Sequence, residues 1–185
     1  MAAHPPVCEF GWPAVDAELP GVDGKKHRIF ECRGENGLLV AFICNHCPYV
    51  KAVIDRLVRD AAELSAIGIG TVAISSNDAE AYPQDSFENM KRFAQAHGFS
   101  FPYLHDEDQS VARAYGAVCT PDFFGFNKAL KLQYRGRIDA SRKEEAPKGT
   151  ARDLFDAMRR VAETGEGPSG QIPSIGCSIK WKEAA

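Results

Sequence analysis

The sequence predicts an α/β fold, a central mixed sheet flanked by helices, with an N-terminal extension and a C-terminal tail. Three observations carry this expectation. A continuous apolar run, Leu38 to Ile43, passes directly into apolar positions at helical spacing, Val50, Val53, Ile54, Leu57, Ala61 and Leu64. A second run, "TVAIS" at 71–75, follows Gly68 and Gly70. Strands buried on both faces read as unbroken apolar runs, and a helix between two of them is the crossover of a βαβ unit. Third, "CTPDFFGFNKALKLQYRGRI" splits into two apolar runs about Asn127 and Lys128, with Leu130, Leu132 and Tyr134 alternating, the pattern of an antiparallel hairpin.

The other elements follow in order. A long polar loop after residue 75 leads to a helix with Phe87, Met90, Phe93 and Ala94 on one face, for which Asp85 or Ser86 is the N-cap. His97, beside Gly98, ends that helix, where a cation suits the dipole. A short strand around Tyr103 and Leu104 precedes a small helix holding Val111, Ala112 and Tyr115. Asp139 is read as a solvated turn residue. Thr150 and Asp153 resemble a capping box opening a last helix, with Leu154, Phe155, Met158 and Val161 inward. From Gly165 the composition turns to Gly, Pro and Ser, so the reading is one domain over 1–164 and a tail over 165–185 that packs on it or stays mobile.

A chain of 185 residues can bury one sizeable core and is short for two. Apolar residues at 44% and charged residues at 25% suit a globular protein. A net charge of −3, with Lys and Arg scattered, lacks the basic patch that neutralises phosphates, so nucleic acid is not an expected partner. The start, "MAAHPPVCEFGW", has no basic segment leading into an apolar one, and no run approaches bilayer length. The expectation is a cytoplasmic chain with no membrane partner. There, six cysteines are not a static disulfide framework.

Only Cys44 and Cys47 are close in sequence, as a CxxC between the first strand and its helix. They are a redox pair, two ligands of a metal, or two buried thiols. A thiol at a helix N-terminus meets unpaired N–H groups and the positive end of the dipole, which favour thiolate, so Cys44 is the expected nucleophile. Cys47, a turn further in, is the expected resolving thiol. His46, with Asn45, tunes the pair, a protonated imidazole favouring the thiolate, or His46 is a solvent-facing histidine with no catalytic task; Pro48 suits an early helical position, where its missing N–H would be orphaned anyway.

Four stretches now point to a family: "LPGVDGK", "CNHCPY", "FPYLHDEDQSVARAYGA" and "CTPDFFGF". Through them the chain resembles the thioredoxin-like superfamily over residues 10–164. Within it, the chain is similar to the redoxin branch around alkyl hydroperoxide reductase, thiol-specific antioxidant proteins and membrane-tethered thiol-disulfide oxidoreductases. The resemblance implies a cis-proline at Thr120–Pro121, facing the dithiol and offering backbone groups to an extended substrate. Cys119, adjacent to that turn, and Cys177, in the tail segment "PSIGCSIKW", are then candidates for a third thiol; as alternatives, Cys119 is a small core residue and Cys177 pairs with nothing while Ile179 and Trp181 anchor the tail.

The sequence departs from its relatives in two ways. Ile43 stands where thioredoxins carry Trp, and their buried central-strand carboxylate is missing from "LLVAFI". The peroxidatic PxxxTxxC pattern fails from either cysteine, since counting back from Cys47 puts Val40 and Cys44 at the proline and threonine positions. Three readings result. The preferred one is a thiol-disulfide oxidoreductase acting on a disulfide-containing protein or a small disulfide, re-reduced by a cellular thiol, with no cofactor and no metal. The second is a peroxiredoxin-like antioxidant peroxidase. The third is a metal-binding module using Cys44, Cys47 and His46 or Cys119, although a closed zinc site wants four ligands.

Overall fold

The computed structural model describes residues 2–6, 8–144 and 146–183. In chain order the elements are β1 (Ala2–Ala3), β2 (Glu18–Pro20), β3 (Lys26–Arg28), β4 (Gly37–Phe42), α1 (Pro48–Ala66), β5 (Ile69–Ser75), α2 (Phe87–Ala96) and β6 (Tyr103–His105). After them come α3 (Ser110–Tyr115), β7 (Cys119–Thr120), β8 (Asp122–Asn127), β9 (Leu132–Tyr134), α4 (Asp153–Thr164) and β10 (Gly176–Ser178).

The main sheet has the order β6-β5-β4-β8-β9 and is mixed: β4 runs parallel to β5 and antiparallel to β8. Every residue of β4 is buried, because helices or irregular chain cover both faces. Its alternate side chains enter two different cores. Leu39 and Ala41 pack with Val53, Ile54 and Leu57 of α1 and with Leu154 and Met158 of α4. Leu38, Val40 and Phe42 pack with Val72, Tyr115, Phe124 and Phe126, under α3 and the N-terminal segment. Each such fully buried large side chain contributes about 1.5–3 kcal/mol, so β4 is firmly held between the two cores. The end of β4 therefore supports the residues that follow it.

The β4–α1–β5 unit and the β8–β9 hairpin form as the periodicity predicts. Of the two caps expected for α2 one forms, and the cap expected for α4 does not. Ser86 caps α2 through its side chain, leaving Asp85 free for another role. Before α4, the Thr150 hydroxyl donates to Pro147 O and no side chain caps the helix, so the Thr150–Asp153 box does not form. Asp139 is also no solvated turn residue: it is buried and paired with Arg56 at 2.7 Å.

The tail packs on the domain. β10 lies antiparallel between β1 and β7, with Cys177 opposite Thr120 on one side and Ala2 on the other. Gly176 permits this, since a Cβ there would collide with the Thr120 carbonyl.

Candidate active site

The chain leaves β4 at Phe42 and enters α1 at Pro48, and the five residues between them carry both clustered cysteines. Pro48 occupies the first turn of α1, and Cys47 is its N-cap. This corrects the placement expected from sequence. Cys47, not Cys44, meets the helix's positive end, because proline starts the helix after the second cysteine rather than before it. Nor is Cys44 exposed: neither sulfur-bearing residue of the pair has accessible surface.

Three further strands of argument converge on the pair. The Thr120–Pro121 peptide bond is cis. Thr120 faces both thiols: its hydroxyl lies 3.2 Å from Cys44 Sγ and its carbonyl oxygen 3.2 Å from Cys47 Sγ. Across β10, Cys177 Sγ stands 2.9 Å from Cys47 Sγ. Three thiols and one hydroxyl thus form a single cluster.

Cys119 is not part of it. Alternation along the strand turns its sulfur away, 3.5 Å from Pro121 O, and burial pushes its pKa well up. It is a buried core thiol.

The electrostatics separate the three sulfurs. Cys47 is brought down to about 5 by the hydrogen bond it accepts from Cys44, with burial opposing and the Cys177 thiol and Val50 N–H adding to the effect. The N-cap position supplies that N–H. Cys44 is correspondingly raised, by its hydrogen bond to Cys47, by burial and by the nearby Asp85 charge, and Thr120 offsets this only in part. Cys177 is raised to about 11 by burial and by the adjacent Cys47 charge. When ionised, Cys47 is the thiolate and its two neighbours donate to it.

The loop between the cysteines is held from outside by a residue the sequence analysis assigned elsewhere. Asp85, completely buried, accepts the Asn45 N–H at 2.8 Å, the Asn77 side-chain amide at 2.7 Å, and stands 2.6 Å from His46 Nδ1. Asn45 is pinned further, its amide donating to Gln84 O and its oxygen accepting from the Tyr103 hydroxyl. His46, partly exposed, stacks on Tyr82 with ring centroids 5.9 Å apart and planes within 3°. The carboxylate missing from the central strand is thus supplied by the loop after β5. The signal for it was the run "SNDAEAYPQDS", unusually polar for a segment between two buried elements.

Cys44, His46 and Asp85 each bring one potential metal-donor atom within 4.8 Å of the others. These atoms already have partners: His46 Nδ1 points at Asp85, both Asp85 oxygens take N–H donors, and Cys44 Sγ faces the Thr120 hydroxyl. The set reads as a hydrogen-bond network rather than as ligands awaiting a cation.

A mixed sheet with a CxxC at the start of its first crossover helix, opposed by a cis-proline turn, defines a thioredoxin-like oxidoreductase of thiols and disulfides. The chain belongs to the AhpC/TSA family, which it matches over residues 10–135. It is 25% identical over 130 residues to the thiol-disulfide oxidoreductase ResA of Geobacillus thermodenitrificans, a match taking in 66% of this chain and 66% of that protein. Among solved structures it is similar to a conserved protein of Geobacillus kaustophilus, at 45% identity, TM-score 0.93, and coverage of 100% of this chain and 98% of the other. A protein of Sinorhizobium meliloti is 39% identical, with TM-score 0.92 and coverage of 98% and 99%.

Proposed function

We propose that this chain is a thiol-disulfide oxidoreductase that cycles Cys44 and Cys47 between dithiol and disulfide through a mixed disulfide on Cys47, with a disulfide-bearing protein or a small disulfide as substrate. The observation that carries the reading is the position of Cys47 at the N-cap of α1, between Cys44 and the cis Thr120–Pro121 turn.

In the reducing direction, the Cys47 thiolate attacks one sulfur of the substrate disulfide and expels the other as a thiolate. Cys44 then attacks the Cys47 sulfur, forming the internal disulfide and releasing the second substrate thiolate. A low-pKa thiol is ionised when attack is required and leaves readily when the internal disulfide is reopened. Cys44 must lose its proton for the second step. Asp85 and His46 lie beside it as the nearest groups able to accept and pass that proton, and the Thr120 hydroxyl orients the sulfur. A cellular thiol re-reduces the pair, and a cytoplasmic setting, with its reduced thiol pools, belongs to the same proposal.

The test is a redox titration of the full chain with thiol mapping by mass spectrometry. A disulfide joining Cys44 and Cys47 that opens and closes reversibly is the expected result. A chain in which these thiols stay reduced across the glutathione range would overturn the reading.

A further inference from the structure

We propose that Cys177 is the sulfur at which this site exchanges with outside thiols and disulfides, forming a disulfide with Cys47 that Cys44 then resolves. The proposal rests on the thiol-disulfide reading above and adds a third reacting residue to it.

The geometry is specific. β10 occupies the edge of β7 beside the cis-proline turn, the edge along which an extended substrate would pair. The chain's own tail therefore takes the substrate's place, with a cysteine opposite Thr120. Its docking is anchored on both sides. Upstream, the Ser174 hydroxyl donates to Pro121 O at 2.5 Å. Downstream, the Ile179 N–H donates to Val118 O, the Lys180 N–H to Asn77 Oδ1 and the Lys182 N–H to Gln109 Oε1. Asn77 also donates to Asp85, so the strand and the CxxC loop share one network.

With the strand docked, access divides the three thiols. Cys44 and Cys47 have no accessible surface, whereas Cys177 is partly exposed and 2.9 Å from Cys47. An outside sulfur meets Cys177 first.

The exchange balances without any further reactant. Cys177 attacks a substrate disulfide R–S–S–R′ as its proton passes to the departing R′ sulfur, forming Cys177–S–S–R and R′SH while Cys47 stays a thiolate. The Cys47 thiolate attacks the Cys177 sulfur and expels RS⁻. The products are one Cys47–Cys177 disulfide, RS⁻ and R′SH, two electrons having passed from the protein to the substrate. Cys44 next attacks Cys47, giving the Cys44–Cys47 disulfide and returning Cys177 as a thiol. In the opposite direction an outside thiolate attacks the sulfur of Cys177, the partly exposed residue of the pair, and Cys47, the more acidic thiol, is the leaving group.

The experiment uses the full chain, oxidised glutathione as the probe, and acid quenching followed by tryptic mapping. Residues 34–51 hold both Cys44 and Cys47, and residues 161–180 hold Cys177. In Cys44→Ser, the expected product is the 34–51 peptide joined to the 161–180 peptide. In the unaltered chain, glutathione appears first on 161–180 and a disulfide within 34–51 follows. Cys177→Ser should exchange about tenfold or more slowly yet still form the 34–51 disulfide at equilibrium. Exchange of Cys177→Ser at the unaltered rate, or glutathione resting on Cys47 of Cys44→Ser beside a free Cys177, would overturn the proposal. A cross-linked product in the unaltered chain with no disulfide ever forming inside 34–51 would overturn the resolution step by Cys44 together with the Cys44–Cys47 cycle.

Discussion

Asp85 Oδ2 lies 2.6 Å from His46 Nδ1 while Asp85 Oδ1 receives the Asn45 N–H, so one buried carboxylate fixes both residues that separate the two cysteines. Replacing it by Ala strands the Asn45 N–H and the Asn77 amide without acceptors. Asp85→Ala should lose roughly 2–4 kcal/mol of stability, read by urea unfolding of the reduced chain, because buried donors left unpaired cost about 1–3 kcal/mol each. Asp85→Asn keeps an acceptor oxygen and should lose less. Equal losses in the two variants would mean that the hydrogen bonds do not carry the effect.

Titration of the reduced chain should reveal a thiolate well below the ordinary range. Following thiolate absorbance, we expect a step near pH 5 that disappears in Cys47→Ser and moves upward in Cys44→Ala, which removes the principal donor to Cys47. Because the folded value of about 5 lies below the ordinary 9.0, this group stabilises the reduced fold fully above pH 9, partly between the two, and ceases to do so as pH falls through 5. A single step near 9 would contradict the assignment of the thiolate to Cys47.

The two clustered cysteines should fail in different ways. Cys47→Ser removes the attacking sulfur, and its steady-state reduction of insulin disulfides should fall on the order of 10³-fold or more. Cys44→Ser keeps that sulfur and should still react once with a disulfide, as a stoichiometric event without sustained turnover. If Cys44→Ser is the variant that loses even the single reaction, attack begins at Cys44.

Peroxide should be a poor substrate. The position three residues before Cys47 is Cys44 rather than the threonine that orients a peroxidatic thiolate. In a thioredoxin-coupled assay, hydrogen peroxide should turn over more slowly than a protein disulfide. The reverse order of rates would favour the peroxidase.

Reduced, purified protein should contain far less than one zinc per chain by elemental analysis. His46 and Asp85 spend their donor atoms on each other and on backbone and amide N–H groups. Stoichiometric zinc would show that a cation displaces this network.

Much of the scaffold is legible along the chain because the interactions that shape it are local or periodic. The unbroken run at 38–43, the helical spacing from Val50 to Leu64 and the alternation through Leu132 and Tyr134 state which faces are buried, and the β4–α1–β5 unit and the β8–β9 hairpin follow. The CxxC is equally visible. Its polarity could have been read from Pro48, whose preference for the first helical turn makes Cys47 the cap, since no long-range information is needed for that step. The rest of the site lies beyond any local pattern. Asp85 reaches back across 40 residues to Asn45, Thr120 across 76 to Cys44 and Cys177 across 130 to Cys47. No periodicity links positions so far apart. Antiparallel pairing of β8 with β4, Asp122 opposite Phe42, brings the preceding Thr120–Pro121 turn to the end of β4, and pairing of β10 along β7 carries Cys177 over the dithiol. Sequence marks Asp85 and Ser86 as alternative caps and Cys177 as one cysteine in a glycine-rich tail; packing gives the cap to Ser86 and buries the Asp85 carboxylate under the cysteine loop, where it satisfies the buried Asn45 N–H and Asn77 amide and meets the His46 ring.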